Sequence, residues 1–94
     1  MSWKSEARKI YEARVVKDAL DRLAGQFDFK NLPFSEDELQ TLAKRARESF
    51  RSEKNRERLD RYKAHLTALH GPESVARISA ALEQINNTIG YEEK

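Results

Sequence analysis

Apolar residues recur at steps of three or four along most of this chain, which is the spacing of amphipathic helices. The first run predicts one helix over about residues 2–26. Its apolar positions are Trp3, Ala7, Ile10, Ala13, Val16, Leu20, Leu23 and Phe27, with Tyr11, Val15 and Ala19 along one flank. A helix of this length exceeds the globular mean of about 11–12 residues.

The connection after this helix is short and rich in apolar residues, namely Phe27, Phe29, Leu32 and Phe34. Pro33 pushes Leu32 toward an extended backbone, which favours a loop here. Two interpretations stay open. Either these side chains fold over the end of the core, or they form an exposed aromatic patch that meets a partner.

A capping box marks the start of the second helix at Ser35. A serine hydroxyl at this position accepts from the backbone N–H of Glu38, whose side chain accepts from the backbone N–H of Ser35. Glu36, Asp37 and Glu38 also place three carboxylates at the positive end of the helix dipole. The helix predicted from this start has an apolar stripe formed by Leu39, Leu42, Ala43, Ala46 and Phe50.

Residues 51–58 contain no apolar side chain, and a second stripe then follows at Leu59, Tyr62, Leu66 and Leu69. At about 100° per residue, the two stripes fall on nearly opposite faces of one straight helix. The sequence therefore favours a break near residues 52–55, which gives helices over about residues 35–52 and 54–70. The alternative is one long helix that packs against a second chain.

The last helix is predicted over residues 72–89, with a frayed tail over residues 90–94. Gly71 suits the end of one helix and Pro72 the first position of the next. A seam with coiled-coil-like steps of three and four then follows at Val75, Ile78, Leu82, Ile85 and Ile89. Together these patterns predict an all-α fold in one domain over residues 1–94, a small bundle of three to four helices.

Composition indicates that the core of this bundle is thin. Of 94 residues, 36% are charged and 38% are apolar, against usual values of about 25% and about 45–50%. A short chain also buries a smaller fraction of its surface than a long one. A protein partner or a second copy would complete such a core, and a homodimer is the expected oligomer.

Several kinds of chemistry are not expected. The sequence has no cysteine, which excludes disulfides, cysteine-ligated zinc and thiol chemistry. The N-terminal region has no uninterrupted apolar run, so we expect no signal peptide, no membrane contact and a cytoplasmic location. His65 and His70 lie about 140° apart around a helix, unlike the usual metal-binding pair four residues apart. We predict no cofactor, no bound metal and no enzymatic activity.

Positive charge is concentrated in residues 44–63, which carry nine cations and four anions, a net charge of +5. In a continuous helix, six of these cations would share one stripe: Lys44, Arg47, Arg51, Lys54, Arg58 and Arg61. Such a row suits contact with the phosphates of a nucleic acid. An acidic stripe of Glu53, Glu57 and Asp60 lies beside it, and this favours the plainer interpretation of a solvated face of mixed charge.

The favoured functional hypothesis is a regulatory protein that acts by binding a protein partner or itself. The residues predicted for that interface are Leu59, Tyr62, Leu66, Leu69, Val75, Ile78, Leu82, Ile85 and Ile89. In the opposing interpretation, the seam of the last helix only closes the core of the monomer. The second hypothesis is a nucleic-acid-binding regulator that uses the six-cation stripe.

Overall fold

The computed structural model describes residues 3–89, with side chains at every position except 3–5 and 29. Four helices follow one another: α1 (Trp3–Gln26), α2 (Glu36–Glu48), α3 (Glu53–His70) and α4 (Pro72–Ile89). A short 3₁₀ turn, Phe29–Asn31, lies between α1 and α2. The described part of the chain contains no strand, so the all-α prediction is confirmed. The predicted tail over residues 90–94 lies outside the described residues.

The helices form an antiparallel bundle in which each helix packs against the next. The first half of α1 meets the end of α2, where Arg51, in the turn after α2, contacts Glu12. The first turn of α2 meets the last turn of α3 through Glu38 and His70. α4 returns along α1, and α2 and α4 also touch across the bundle.

One shared core holds the bundle together, and every helix contributes to it. Its most deeply buried apolar side chains are Leu23 of α1, Leu42 of α2, Leu66 of α3, and Ile78 and Leu82 of α4. Fully burying a leucine or isoleucine stabilises a fold by about 1.5–3 kcal/mol. The two apolar stripes of residues 39–69 therefore both reach this core.

A break between α2 and α3 makes this possible. α2 ends at Glu48 and α3 begins at Glu53, so the predicted end of the second helix near residue 52 is too late. The continuous long helix is wrong for this segment. Ser52 is in an extended conformation and its hydroxyl accepts from the backbone N–H of Asn55. The Asn55 side chain donates to the carbonyl of Glu48 at 3.2 Å, so the break satisfies backbone groups of both helices.

Two other predicted helix boundaries are confirmed. The capping box is present, with Ser35 N donating to Glu38 Oε1 at 2.9 Å and Glu38 N donating to Ser35 Oγ at 3.1 Å. Gly71 ends α3 with a φ of 99°, and Pro72 opens α4. An L side chain at residue 71 would be strained at this angle.

The loop before α2 closes one end of the core. Phe34 is 6% exposed, and Phe27 and Leu32 pack against the buried cluster. These three residues follow the first of the two interpretations, in which the loop folds over the core. The side chain of Phe29 lies outside the described part.

Candidate functional site

The protein interface predicted from the sequence lies mostly inside the monomer. Its buried members are Leu66, Val75, Ile78, Leu82 and Ile85, and Leu59, Tyr62 and Ile89 pack against the same cluster. Leu69 alone of the nine is strongly exposed, at 57%. The prediction of an interface is therefore wrong for the five buried residues, which pack into the core of the monomer, and it stays a prediction for Leu59, Tyr62, Leu69 and Ile89.

The single stripe of six cations is also wrong, because the helix that would carry it is interrupted. Arg47, on α2, is only 3% exposed. Its Nε lies 3.8 Å from Glu12 Oε1, and Arg51 donates to Glu12 Oε2 at 2.7 Å. These two arginines thus hold the end of α2 and the turn after it against α1, and the Glu12 carboxylate balances one of their two positive charges.

The other four cations remain on the surface but on two helices. Lys44 is exposed on α2, and Lys54, Arg58 and Arg61 are exposed along α3. The last three recur at steps of four and three, so they share one side of α3. Glu57 and Asp60 are exposed on the same helix, so this side of α3 is not purely basic.

A surface that the sequence did not predict lies along the first half of α1. Residues 6–11, 13 and 14 are all exposed, and the first buried residue among the described side chains of this helix is Val15, at 6%. Ile10 is 58% exposed and Tyr11 is 46% exposed. The predicted apolar stripe placed Ile10 and Ala7 with the core residues, and this placement is wrong.

Helix geometry explains the error. The core side of α1 is formed by Val15 and Ala19, which the sequence placed on the flank, together with Leu23 of the predicted stripe. Ile10 precedes Ala19 by nine residues, which is about 180° around the helix. A stripe with steps of mostly three and four drifts around a long helix, so its first members face away from the core.

α2 lies beside only part of the length of α1. α1 has 24 residues and α2 has 13, which correspond to about 36 Å and about 20 Å. The end of α2 reaches α1 at Glu12, through Arg47 and Arg51. Residues before Glu12 therefore extend past the end of α2. We call the exposed side of this segment the outer face of α1, formed by Glu6, Ala7, Ile10, Ala13 and Arg14.

The described part of the bundle also contains a groove of about 330 Å³ between α2, α3 and α4. The buried or half-buried apolar residues that line it include Leu42, Leu59 and Leu82, and the polar ones include Ser79 and Asn86. Phe50, which was predicted to end the apolar stripe of α2, instead lies in the turn after α2, lines the groove and is 41% exposed.

The two histidines have different surroundings. His65 is exposed and stacks against Tyr62 at a centroid distance of 6.0 Å. His70 Nε2 lies 3.0 Å from Glu38 Oε1, and its ring meets Phe34 edge-on at 4.9 Å. The hydrogen bond from the Ser35 backbone, and then the contact with His70, lower the pKa of Glu38. Among the described side chains, no group of three or more His, Asp or Glu could hold a metal ion.

Comparisons with known proteins give no family for the chain. No protein-family model, curated protein sequence or solved structure matches it. Within residues 3–89, no helix has both the length and the apolar character needed to cross a membrane.

Proposed function

We propose that this protein is a non-enzymatic helical interaction protein that pairs with a second copy of itself through the outer face of α1. The observation that carries the proposal is the 58% exposure of Ile10, at the centre of a helical segment whose outer side is exposed. A large apolar side chain in such a position loses contact with water when a partner covers it.

The order of residues on the outer face favours a second copy as the partner. In an antiparallel pair centred on Ile10, residue 6 of one copy lies opposite residue 14 of the other. Glu6 then faces Arg14, Ala7 faces Ala13, and Ile10 faces itself. All four neighbours lie within about 60° of Ile10 around the helix. The face is thus complementary to itself in charge, and its alanines let the two helices approach closely.

Such a pairing has the symmetry that homodimers most often use. A two-fold axis brings the same surface patch of both chains together, so each contact occurs twice. Antiparallel pairing around Ile10 has this symmetry.

Analytical ultracentrifugation of the wild type, Ile10→Glu and Leu69→Glu tests the proposal. Leu69 is a matched control, because its exposure of 57% is close to the 58% of Ile10. We expect a wild-type dimer, at least a tenfold weaker dimer for Ile10→Glu, and no change for Leu69→Glu, because each dimer carries the Ile10 change twice at its axis. A monomeric wild type would overturn the proposal, and so would dissociation by Leu69→Glu alone.

The antiparallel register has its own test in the charges beside Ile10. Arg14→Glu should weaken the dimer, because it places a new carboxylate of each copy opposite Glu6 of the other. The double variant Glu6→Arg with Arg14→Glu should restore it, since the pair is then reversed on both sides. A double variant that is as weak as Arg14→Glu would show that these residues do not face each other.

A second candidate function is nucleic-acid binding, and the exposed row of Lys54, Arg58 and Arg61 on α3 favours it. Anisotropy titrations with a labelled duplex and a labelled single strand, at about 50 and 200 mM salt, test this function. Binding should weaken steeply as the salt concentration rises. The double variant Arg58→Glu with Arg61→Glu should weaken it for nucleic acids of every base sequence. Lys30→Glu, an exposed cation away from α3, is the control. Absence of binding at the lower salt would remove this candidate.

A further inference from the structure

Two residues that line the groove between α2, α3 and α4 each carry a buried side-chain oxygen without a hydrogen-bond partner among the described residues: Asn86 Oδ1 and Ser79 Oγ. Asn86 is only 2% exposed. The two residues are seven positions apart on α4, so both lie on the same side of the helix, about 10 Å apart along its axis. Buried acceptors in native proteins are nearly always satisfied, because an unsatisfied one costs free energy. Asn86 therefore holds an acceptor beside the groove, which a donor from outside the described bundle would satisfy once this side chain turns toward it.

The rest of the lining limits the chemistry of that donor. Leu42, Leu59 and Leu82 provide an apolar wall. The charged residues of the groove balance, since Arg56 and Lys63 are matched by Asp60 and Glu83. A lining without net charge gives no preference to an anion or a cation. Its volume of about 330 Å³ is at the lower end of the range for small-molecule sites, about 300–1,000 Å³.

We propose that this groove is a binding site for a small, uncharged, largely apolar molecule that donates an N–H or O–H group to Asn86 Oδ1. The leucines would cover the apolar body of the ligand, and Phe50 would pack against it from the turn between α2 and α3. Ser79 provides a second polar contact farther along α4. The site lies on different helices from the outer face of α1, so it is independent of the proposed dimer.

The donor requirement can be tested with indole and N-methylindole, which differ in one N–H group. Backbone amide shifts of residues 79–86 are followed by NMR during titration of the full chain with each compound. We expect both to shift the groove residues and indole to bind about fivefold more tightly, the ratio typical of one net hydrogen bond. In Asn86→Leu the two compounds should bind equally. Asn87→Leu is the matched control, because Asn87 is the exposed neighbour on the same helix, and it should keep the fivefold ratio.

A second variant keeps the test valid if Asn86→Leu does not fold. Ala80 is exposed and lines the groove, so Ala80→Trp should fill the space without removing a core contact and should weaken indole binding at least tenfold. Three results would overturn the proposal: equal binding of the two compounds to the wild type, shifts confined to other parts of the protein, or no binding by either. Equal binding of the two compounds would mean that water in the groove, rather than a ligand, satisfies Asn86.

Discussion

Glu12 is the residue on which the junction between α1 and α2 depends. It is 18% exposed at the side chain and contacts both Arg47, which is buried, and Arg51, which is one-third exposed. A buried guanidinium destabilises a fold unless a carboxylate compensates its charge.

Glu12→Ala should therefore lower the free energy of unfolding by about 1–3 kcal/mol, because the variant removes a carboxylate beside the buried guanidinium of Arg47. Asp21→Ala is the control, since Asp21 is exposed on the same helix, and its effect should stay within about 0.5 kcal/mol. Urea unfolding at one fixed protein concentration measures both, because dimerisation adds to apparent stability. Equal effects of the two variants would contradict a structural role for Glu12.

At the scale of helices, the contact between Glu38 and His70 joins the start of α2 to the end of α3 at 3.0 Å. The pKa of Glu38 is lowered, first by the hydrogen bond from the Ser35 backbone and then by His70. A carboxyl group with a lower pKa in the folded state stabilises the fold while it is ionised. That stabilisation is complete above the ordinary pKa of a glutamate and is lost as the pH falls through the folded value.

Glu38→Gln should accordingly be less stable than the wild type near pH 6, and the difference should shrink as the pH falls toward 3. Urea unfolding across this range measures the difference. Glu36→Gln, an exposed change in the same first turn, should show a smaller pH-dependent difference. A gap between wild type and Glu38→Gln that stays constant or widens at low pH would show that ionised Glu38 does not stabilise the fold.

Helix starts and turns could be predicted from the sequence because their causes are local. The capping box at Ser35 and the turn at Gly71 and Pro72 each depend on residues only a few positions apart. The break between α2 and α3 could be inferred from two opposed stripes, but its position could not. It depends on Asn55 reaching the carbonyl of Glu48, a contact that a hydrophobic pattern does not contain.

The candidate surfaces were harder to predict because they depend on what each face packs against. Val75 and Ile78 have the spacing of an interface, but the same spacing serves the core of the monomer, where the structure places them. Ile10 was grouped with core residues although it faces the other way. Arg47 could not be recognised as buried, because its partner Glu12 lies 35 positions earlier in the chain.

At the scale of the whole molecule, the proposed dimer joins two bundles through α1 and leaves the other surfaces exposed. The groove lies between α2, α3 and α4, and the exposed cations of Lys54, Arg58 and Arg61 lie on α3. Neither surface includes the outer face of α1. The proposed self-association would therefore not compete with a small ligand or with a nucleic acid, and each of the three proposals is tested separately.

The most direct measurement of the central claim is disulfide formation between two copies of Ile10→Cys. The chain has no cysteine of its own, so the new thiol can pair only with the same residue of another molecule. Pairing requires the two Cα atoms to come within about 7 Å, which happens at position 10 only if the outer faces of α1 meet near a two-fold axis. We predict rapid, nearly complete formation of a covalent dimer under mild oxidation at micromolar concentration, while Leu69→Cys stays largely monomeric. If Ile10→Cys forms a dimer no faster than Leu69→Cys, the outer face of α1 is not where two copies meet.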